Sequence, residues 1–183
     1  MREDCAYYVV HPCHPSLYAE RVTPEEKADL FGGIAAVQDI VLAHVAGSAD
    51  DYDHVEALCR IFFSPVGTAH RITVEQMAIL EPAAAEVVVA MCAVVMKEAI
   101  DESVRRGVPR AAAEAFLLGH IQIPLAIVLR DSNPFSDAAL IAIEYGKKHV
   151  LKENWKDVFK DEKIEEVLLQ MLRHEPGKAA GER

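Results

Sequence analysis

The sequence has few basic residues and few cysteines. It contains 19 lysines and arginines against 29 aspartates and glutamates, which gives a formal net charge of −10 at pH 7. Phosphate backbones and anionic lipids repel such a chain, so we expect neither nucleic acid nor a membrane as a main partner. The four cysteines have no C-x-x-C spacing. This pattern, and the charged first residues without an apolar run after them, lead us to expect a cytoplasmic protein without a signal peptide.

Two common catalytic motifs are missing. Gly32 and Gly33 do not match the G-x-G-x-x-G fingerprint and do not follow a predicted strand, and no G-x-S-x-G occurs. Dinucleotide binding needs glycines that let the backbone approach a pyrophosphate at a helix N-terminus. We therefore expect that this chain does not bind NAD by itself.

The sequence is rich in apolar helical patterns, and one of them dominates. Thr73 is a predicted N-cap with Gln76 at N3, and Pro82 interrupts the helix that follows. Residues 83–96 are almost all apolar, which predicts a helix that is buried on all sides. Glu81, Glu86 and the charges after residue 96 stand too close to this run for a membrane span.

The remaining pattern predicts an all-α domain with one short N-terminal strand. Residues 6–10 form the strand, and it ends at the HPCHP stretch because two prolines interrupt a ladder. A lone strand must pair with another segment, so we expect residues 1–15 to be the end of a sheet that belongs to another segment. Residues 16–175 would form the all-α domain, and residues 176–183 a disordered tail. Helices are predicted at residues 23–46, 51–63, 110–129, 137–149 and 161–173.

Polar residues in apolar surroundings are the candidates for chemistry. His11, Cys13 and His14 in HPCHP are zinc-type ligands, but they match no fixed zinc spacing, so the motif alone favours a strand-end turn with incidental histidines. Glu75 and Glu81 suit the N-terminus of a helix, whereas Glu86 has no such explanation and must be paired, protonated or bound to a metal if buried.

Two further residues stand out. His120 interrupts the second apolar helix, where a lone histidine is more often a hydrogen-bonded core residue than a ligand. Asp29 in DLFGG is either a solvated helix residue or part of a site.

Several stretches together resemble a known family. They are HPCHP, DLFGGIAAVQ, HRITVEQMAILEPAAAE, EAIDESVRRGVP and FLLGHIQIPLAI. They resemble the C-terminal domain of phosphogluconate-dehydrogenase-like proteins, in the group that includes the D-apionate oxidoisomerases. The resemblance covers about residues 7–159 and implies a 6-phosphogluconate dehydrogenase C-terminal-like helical domain. DLFGG is also similar to a magnesium-binding DLFGE stretch of ketol-acid reductoisomerases, but Gly33 replaces its second carboxylate.

The resemblance implies a two-part enzyme of sugar-acid metabolism. An N-terminal Rossmann domain, in the same or another chain, would bind NAD, and residues 1–15 would be the strand and loop left from its edge. Residues 16–175 would bind a small sugar acid and form a homodimer. No lysine stands at the catalytic lysine position of related dehydrogenases, so their mechanism is not carried over. The rival interpretations are a non-enzymatic helical dimerisation module and a free-standing metal-binding α-domain.

The expected roles follow from these two lines of reasoning. Glu81, Glu86 and His120 are predicted to be catalytic. The predicted substrate-binding residues are His11, Glu75, Gln76 and Asp29. A divalent metal, zinc or magnesium, would be bound by His11, His14, Glu81 and Glu86.

Overall fold

A three-stranded sheet organises the first part of the chain. The computed structural model describes residue 2 and residues 4–173, so the predicted tail at residues 176–183 lies outside it. The strands are β1 (Tyr7–Pro12), β2 (Gln38–Ala46) and β3 (Val66–Ile72), in the order β1-β2-β3. β1 is antiparallel to β2, and β2 is parallel to β3. Together with helix α2 (Tyr52–Phe62), β2 and β3 form a β-α-β unit.

The prediction of a lone strand was therefore wrong. β1 pairs with β2 of the same chain and continues to Pro12, which stands opposite Ile40 in the ladder. Proline is tolerated there because β1 is an edge strand, where a missing N–H need not face a neighbour. The chain is mainly helical, but the expected all-α class must be amended by this sheet.

The helix predicted at residues 23–46 was also wrong. Its start is confirmed, since Thr23 and Glu26 form a capping box at α1, but α1 covers only Pro24–Ala28. Gly32 and Gly33 then adopt positive φ angles of 80° and 87°, which end any helix. The segment that follows buries alternate residues, as a strand does, and its Ile40 and Leu42 are fully buried.

The chain divides into two compact units, Met1–Glu81 and Pro82–Arg183. The core of the first unit lies between the sheet and α2. Ile40, Leu42 and Cys59 are its buried centre. Partly buried side chains pack around this centre, and they are Val10, Tyr52, Val55, Phe63, Val66 and Ala69.

A long helix begins in the first unit and continues into the second. It starts as α3 (Val74–Ala78), where the predicted capping box of Thr73 and Gln76 is present. It widens to a π-helix over Ile79–Ala90 and returns to α-helix in α4 (Met91–Arg105). Pro82 lies in the π segment, and because proline lacks an N–H it disrupts the regular α pattern there.

The rest of the second unit is helical. Its elements are α5 (Arg110–Arg130), α6 (Asp137–Val150), a 3₁₀ turn at Trp155–Phe159, and α7 (Asp161–Leu172). Ser136 caps α6 as predicted. Large side chains that are buried in the described part of this unit are few, namely Ile100 and Ile164.

The two apolar helices are largely uncovered. Val74–Arg105 and Arg110–Arg130 are long and apolar enough to cross a membrane, by length and composition only, a test that core helices of soluble proteins also pass. Within the chain, only 11% of the most apolar stretch of Val74–Arg105 is buried, and only 6% of that of Arg110–Arg130. The expectation of a helix buried on all sides is thus wrong for the single chain, in which Val89 is 65% exposed.

We expect the core of the first unit to govern its stability. Ile40→Ala removes a fully buried side chain and should lower the free energy of unfolding by about 2–5 kcal/mol. Ile61→Ala, on helix α2 of the same unit but 73% exposed, is the matched control and should cost far less. Urea unfolding followed by circular dichroism measures both. Equal losses would contradict this assignment of the core.

Candidate functional site

The end of β1 faces a carboxylate from the long helix. His11 Nε2 lies 3.3 Å from Glu81 Oε1, and both side chains are about one-third exposed. The other ring nitrogen of His11, Nδ1, lies 2.8 Å from the Pro12 carbonyl oxygen. Because a carbonyl oxygen only accepts, this contact places a proton on Nδ1. His11 Nε2 is therefore the ring nitrogen that faces the Glu81 carboxylate, and a proton on Nε2 would make this contact a hydrogen bond.

A second histidine stands beside this pair. His14 has a φ of 59°, which is uncommon for a residue other than glycine. Its Nδ1 lies 2.8 Å from the Phe31 carbonyl oxygen, so this ring too carries its proton on Nδ1. The ring centroid of His14 lies 6.1 Å from that of His11 and 5.8 Å from that of Phe31, with edge-to-face geometry in both pairs.

Asp29 lies at the end of α1 with its carboxylate turned into the following loop. The side chain is buried and accepts four backbone N–H groups at 2.9–3.1 Å, from Gly32, Ile34, Ala35 and Ala36. The hydrogen bond from Ala35 N–H lowers the pKa of Asp29 most, and the other three lower it further. Together they hold this pKa below its ordinary value, although burial of the carboxylate acts in the opposite direction. The geometry favours a structural role for Asp29 over the predicted contact with a substrate.

The other candidates of the first unit lie at the start of α3. Glu75 is exposed in its first turn, and a hydrogen bond with the Thr73 side chain lowers the pKa of its carboxyl. Gln76 is exposed too, and its side-chain oxygen accepts the Thr73 N–H at 2.9 Å. Both residues therefore contribute to the helix cap, and their predicted contact with a substrate stays a prediction.

Glu86 and His120 belong to the second unit. Glu86 was expected to be buried, but it is exposed, because the apolar surface around it has no cover in this chain. His120 is exposed as well, with Nδ1 2.7 Å from the Phe116 carbonyl oxygen and its ring stacked on Phe116 at 4.0 Å. Its Nδ1 contact matches those of His11 and His14, so Nε2 is the nitrogen it leaves for other partners.

Sequence reasoning missed the part played by Phe31. Its backbone carbonyl orients His14, and a backbone group leaves no mark in a residue pattern. The available signal was the spacing of Asp29 and Gly32, because an aspartate three residues before a glycine is typical of a side chain that caps a turn.

These features place a histidine–carboxylate pair at the end of a β-strand, in a chain that continues into apolar helices. A family described as "Phosphogluconate dehydrogenase (decarboxylating) C-term" matches residues 19–172, and the chain belongs to that family. The predicted resemblance is confirmed.

Curated relatives point to one group within the family. The chain is 46% identical to a D-apionate oxidoisomerase of Pectobacterium atrosepticum over 94% of its own length and 61% of that protein. It is 43% identical to the D-apionate oxidoisomerase of Cupriavidus necator over 90% and 60%. The chain thus spans about three-fifths of the length of these relatives.

A solved structure has the same fold. It is a semialdehyde dehydrogenase NAD-binding protein from Cupriavidus necator in complex with calcium and NAD, with a TM-score of 0.89 and 42% identity. The match covers 92% of this chain and 62% of that one.

The residues of this chain fit a divalent cation only in part. Donor atoms about 2.0–2.1 Å from one tetrahedral ion are roughly 3.3 Å apart, and His11 Nε2 and Glu81 Oε1 have a separation of 3.3 Å. However, residues 2 and 4–173 contain no group of three or more His, Cys, Asp or Glu side chains that could hold a metal ion. The predicted four-residue set is therefore not assembled here, and a metal at this pair would need further donors.

The residues do not fit the pyrophosphate of NAD. The adjacent glycines are the nearest approach to a phosphate-binding loop, but Gly32 donates its N–H to Asp29. The carboxylate thus occupies the position that an anion would take. The loop at Gly32 and Gly33 therefore does not offer this N–H to a dinucleotide.

Asp29 should make the stability of this chain sensitive to acid. Its pKa is lowered on folding, so its contribution is complete above the ordinary value of about 3.9 and is lost as the pH falls through the lower folded value. We expect Asp29→Asn to be less stable at neutral pH and to lose less stability on acidification than the parent. Asp51→Asn is the control, because that side chain makes no capping hydrogen bond. Parallel acid curves for parent and Asp29→Asn would contradict the assignment.

Proposed function

We propose that this chain is the substrate-binding and dimerisation part of an NAD-dependent oxidoisomerase of sugar acids, with D-apionate or a close relative of it as substrate. The observation that carries the proposal is the pair formed by His11 and Glu81, whose facing atoms are 3.3 Å apart. The names of the curated relatives supply the substrate class.

The pair suits the acid–base half of an alcohol oxidation. When a secondary alcohol becomes a ketone, its carbon loses a hydride and its hydroxyl loses a proton. NAD, which we assign to an N-terminal Rossmann part outside this chain, would supply the hydride acceptor. His11 Nε2 takes the hydroxyl proton, and the Glu81 carboxylate stabilises the imidazolium that forms. Both side chains are partly exposed, so a substrate hydroxyl can approach them.

The free edge of β1 suits the attachment of that other part. Residues 7–10 are Tyr-Tyr-Val-Val, without a charge, and β1 has β2 on one side only. At the opposite edge of the sheet, β3 carries His70 and Arg71, which pair with Asp39 and Glu56. Charged side chains protect a sheet edge against further pairing, whereas an apolar edge invites it. A cofactor-domain strand next to β1 would lie close to His11.

The experiment uses this chain joined to the proposed N-terminal NAD-binding part. Glu81→Gln keeps the shape of the side chain and removes its charge, so kcat for NAD-dependent oxidation of D-apionate should fall about 10²-fold with little change in NAD affinity. Glu98→Gln, an exposed glutamate of α4, should leave kcat unchanged.

Two results would overturn the proposal. One is full turnover by the Glu81→Gln variant. The other is micromolar binding of NAD, by calorimetry, to this chain without its upstream part. A joined protein that neither binds NAD nor oxidises sugar acids would favour the rival interpretation of a helical dimerisation module.

Homodimerisation is proposed from the uncovered apolar surface. On α5, Phe116, Ile123 and Val128 are each more than half exposed. Monomers rarely leave such patches open, and large obligate interfaces are apolar. A second copy gives the same helices matching apolar surface.

Light scattering tests this part of the proposal. We expect the chain to be a dimer at micromolar concentration and Ile123→Glu to weaken the dimer, because the variant places a charge in an apolar interface. Ile61→Glu is the matched control, since Ile61 is the same residue type and is also more than half exposed but lies on α2. A monomeric parent chain would contradict homodimerisation.

A further inference from the structure

We propose that Asp29 is a positioning residue of the candidate site. It folds residues 30–37 around its carboxylate, and so holds the Phe31 carbonyl that fixes the proton of His14. His14 then acts beside His11 as a second imidazole that accepts protons. The inference rests on the proposed function for its catalytic meaning, whereas the positioning itself can be measured on this chain alone.

The loop is held by hydrogen bonds rather than by burial. Phe31 is 78% exposed and Ile34 is 83% exposed, so the large apolar side chains of the loop contribute little to its position. The carboxylate of Asp29 instead accepts Gly32 N–H on one oxygen, and the N–H groups of Ile34, Ala35 and Ala36 on the other. An asparagine cannot replace it, because its amide has one acceptor oxygen and would turn an NH₂ group towards N–H donors.

A second contact restricts the loop from the side of the sheet. Gly32 has a φ of 80°, and a Cβ on it would lie 2.5 Å from the Cδ of Gln38. Gln38 is buried, and its Nε2 donates to the Phe63 carbonyl at 3.0 Å. The loop therefore lies between its own aspartate and a fixed glutamine, which leaves the Phe31 carbonyl little freedom.

This rigidity reaches His14 through the backbone carbonyl of Phe31. The Phe31 carbonyl oxygen lies 2.8 Å from His14 Nδ1 and requires a proton there. A neutral His14 then carries its lone pair on Nε2, the tautomer that His11 also adopts through the Pro12 carbonyl. Two rings of one tautomer with centroids 6.1 Å apart suit a reaction that combines an oxidation with a rearrangement, since each step moves a proton.

Nitrogen NMR of ¹⁵N-histidine-labelled chain tests the positioning. At a pH above the ordinary histidine pKa of about 6.5, we expect the parent chain to show His14 as the Nδ1–H tautomer. Asp29→Asn should shift His14 towards the Nε2–H tautomer that free histidine prefers. His120, which the Phe116 carbonyl fixes in the same manner, is the internal control and should not change. Asp51→Asn should leave both histidines as they are.

The His14 tautomer of the parent chain can be measured whether or not the variants fold. An Nε2–H tautomer of His14 in the parent chain overturns the inference outright, as does an Asp29→Asn chain that keeps the Nδ1–H tautomer. Gly32→Ala is a second variant that tests the inference, because its Cβ would collide with Gln38 and displace the loop while the Asp29 carboxylate is kept. We expect it to shift His14 towards the Nε2–H tautomer as well.

Turnover of the joined protein tests the role of His14. We expect His14→Gln to lower kcat about 10²-fold with a smaller effect on KM. Full turnover by His14→Gln overturns the inference, whereas full turnover by Glu81→Gln overturns the proposed function.

Discussion

The apolar helices of this chain need a cover that the chain does not itself supply. Within the chain, only 6% of the most apolar window of Arg110–Arg130 is buried. Each fully buried apolar side chain contributes about 1.5–3 kcal/mol, so leaving this surface in water forfeits a large part of the available stability. The same constraint explains the exposed Glu86 and His120, which lie on helices whose surroundings are incomplete.

The first unit has the opposite character, because its polar contacts are specific and local. A fully buried pair, Ile40 and Leu42, anchors the sheet, and the chain leaves that sheet at His11 and Pro12. The Asp29 carboxylate orders the next loop, although it contributes nothing to the apolar core. The sheet therefore fixes the position of His11, whereas backbone hydrogen bonds fix the loop that orients the His14 ring.

The sequence predicted those elements whose signals are local. The capping boxes at Thr23 and Thr73 and the cap at Ser136 are present, because a side chain and a backbone N–H three residues apart decide them. The strand Gln38–Ala46 was missed, because a correct helix start was extended through Gly32 and Gly33. Of the site, His11 and Glu81 were predicted and do meet, whereas the link from Phe31 to His14 is a backbone contact that no side-chain pattern encodes.

The wrong prediction that Glu86 is buried has a different physical cause from the missed strand. An apolar run around a carboxylate predicts that the surface will be covered, and it does not specify which molecule covers it. Burial assigned from sequence refers to the complete assembly, whereas the structure describes one chain that spans 61% of a relative's length. If a second copy covers α5, then His120 loses solvent there, and its Nε2 must find a partner because an unpaired buried polar group costs about 1–3 kcal/mol. The histidine that interrupts this apolar helix thus gains a chemical role only within an assembly.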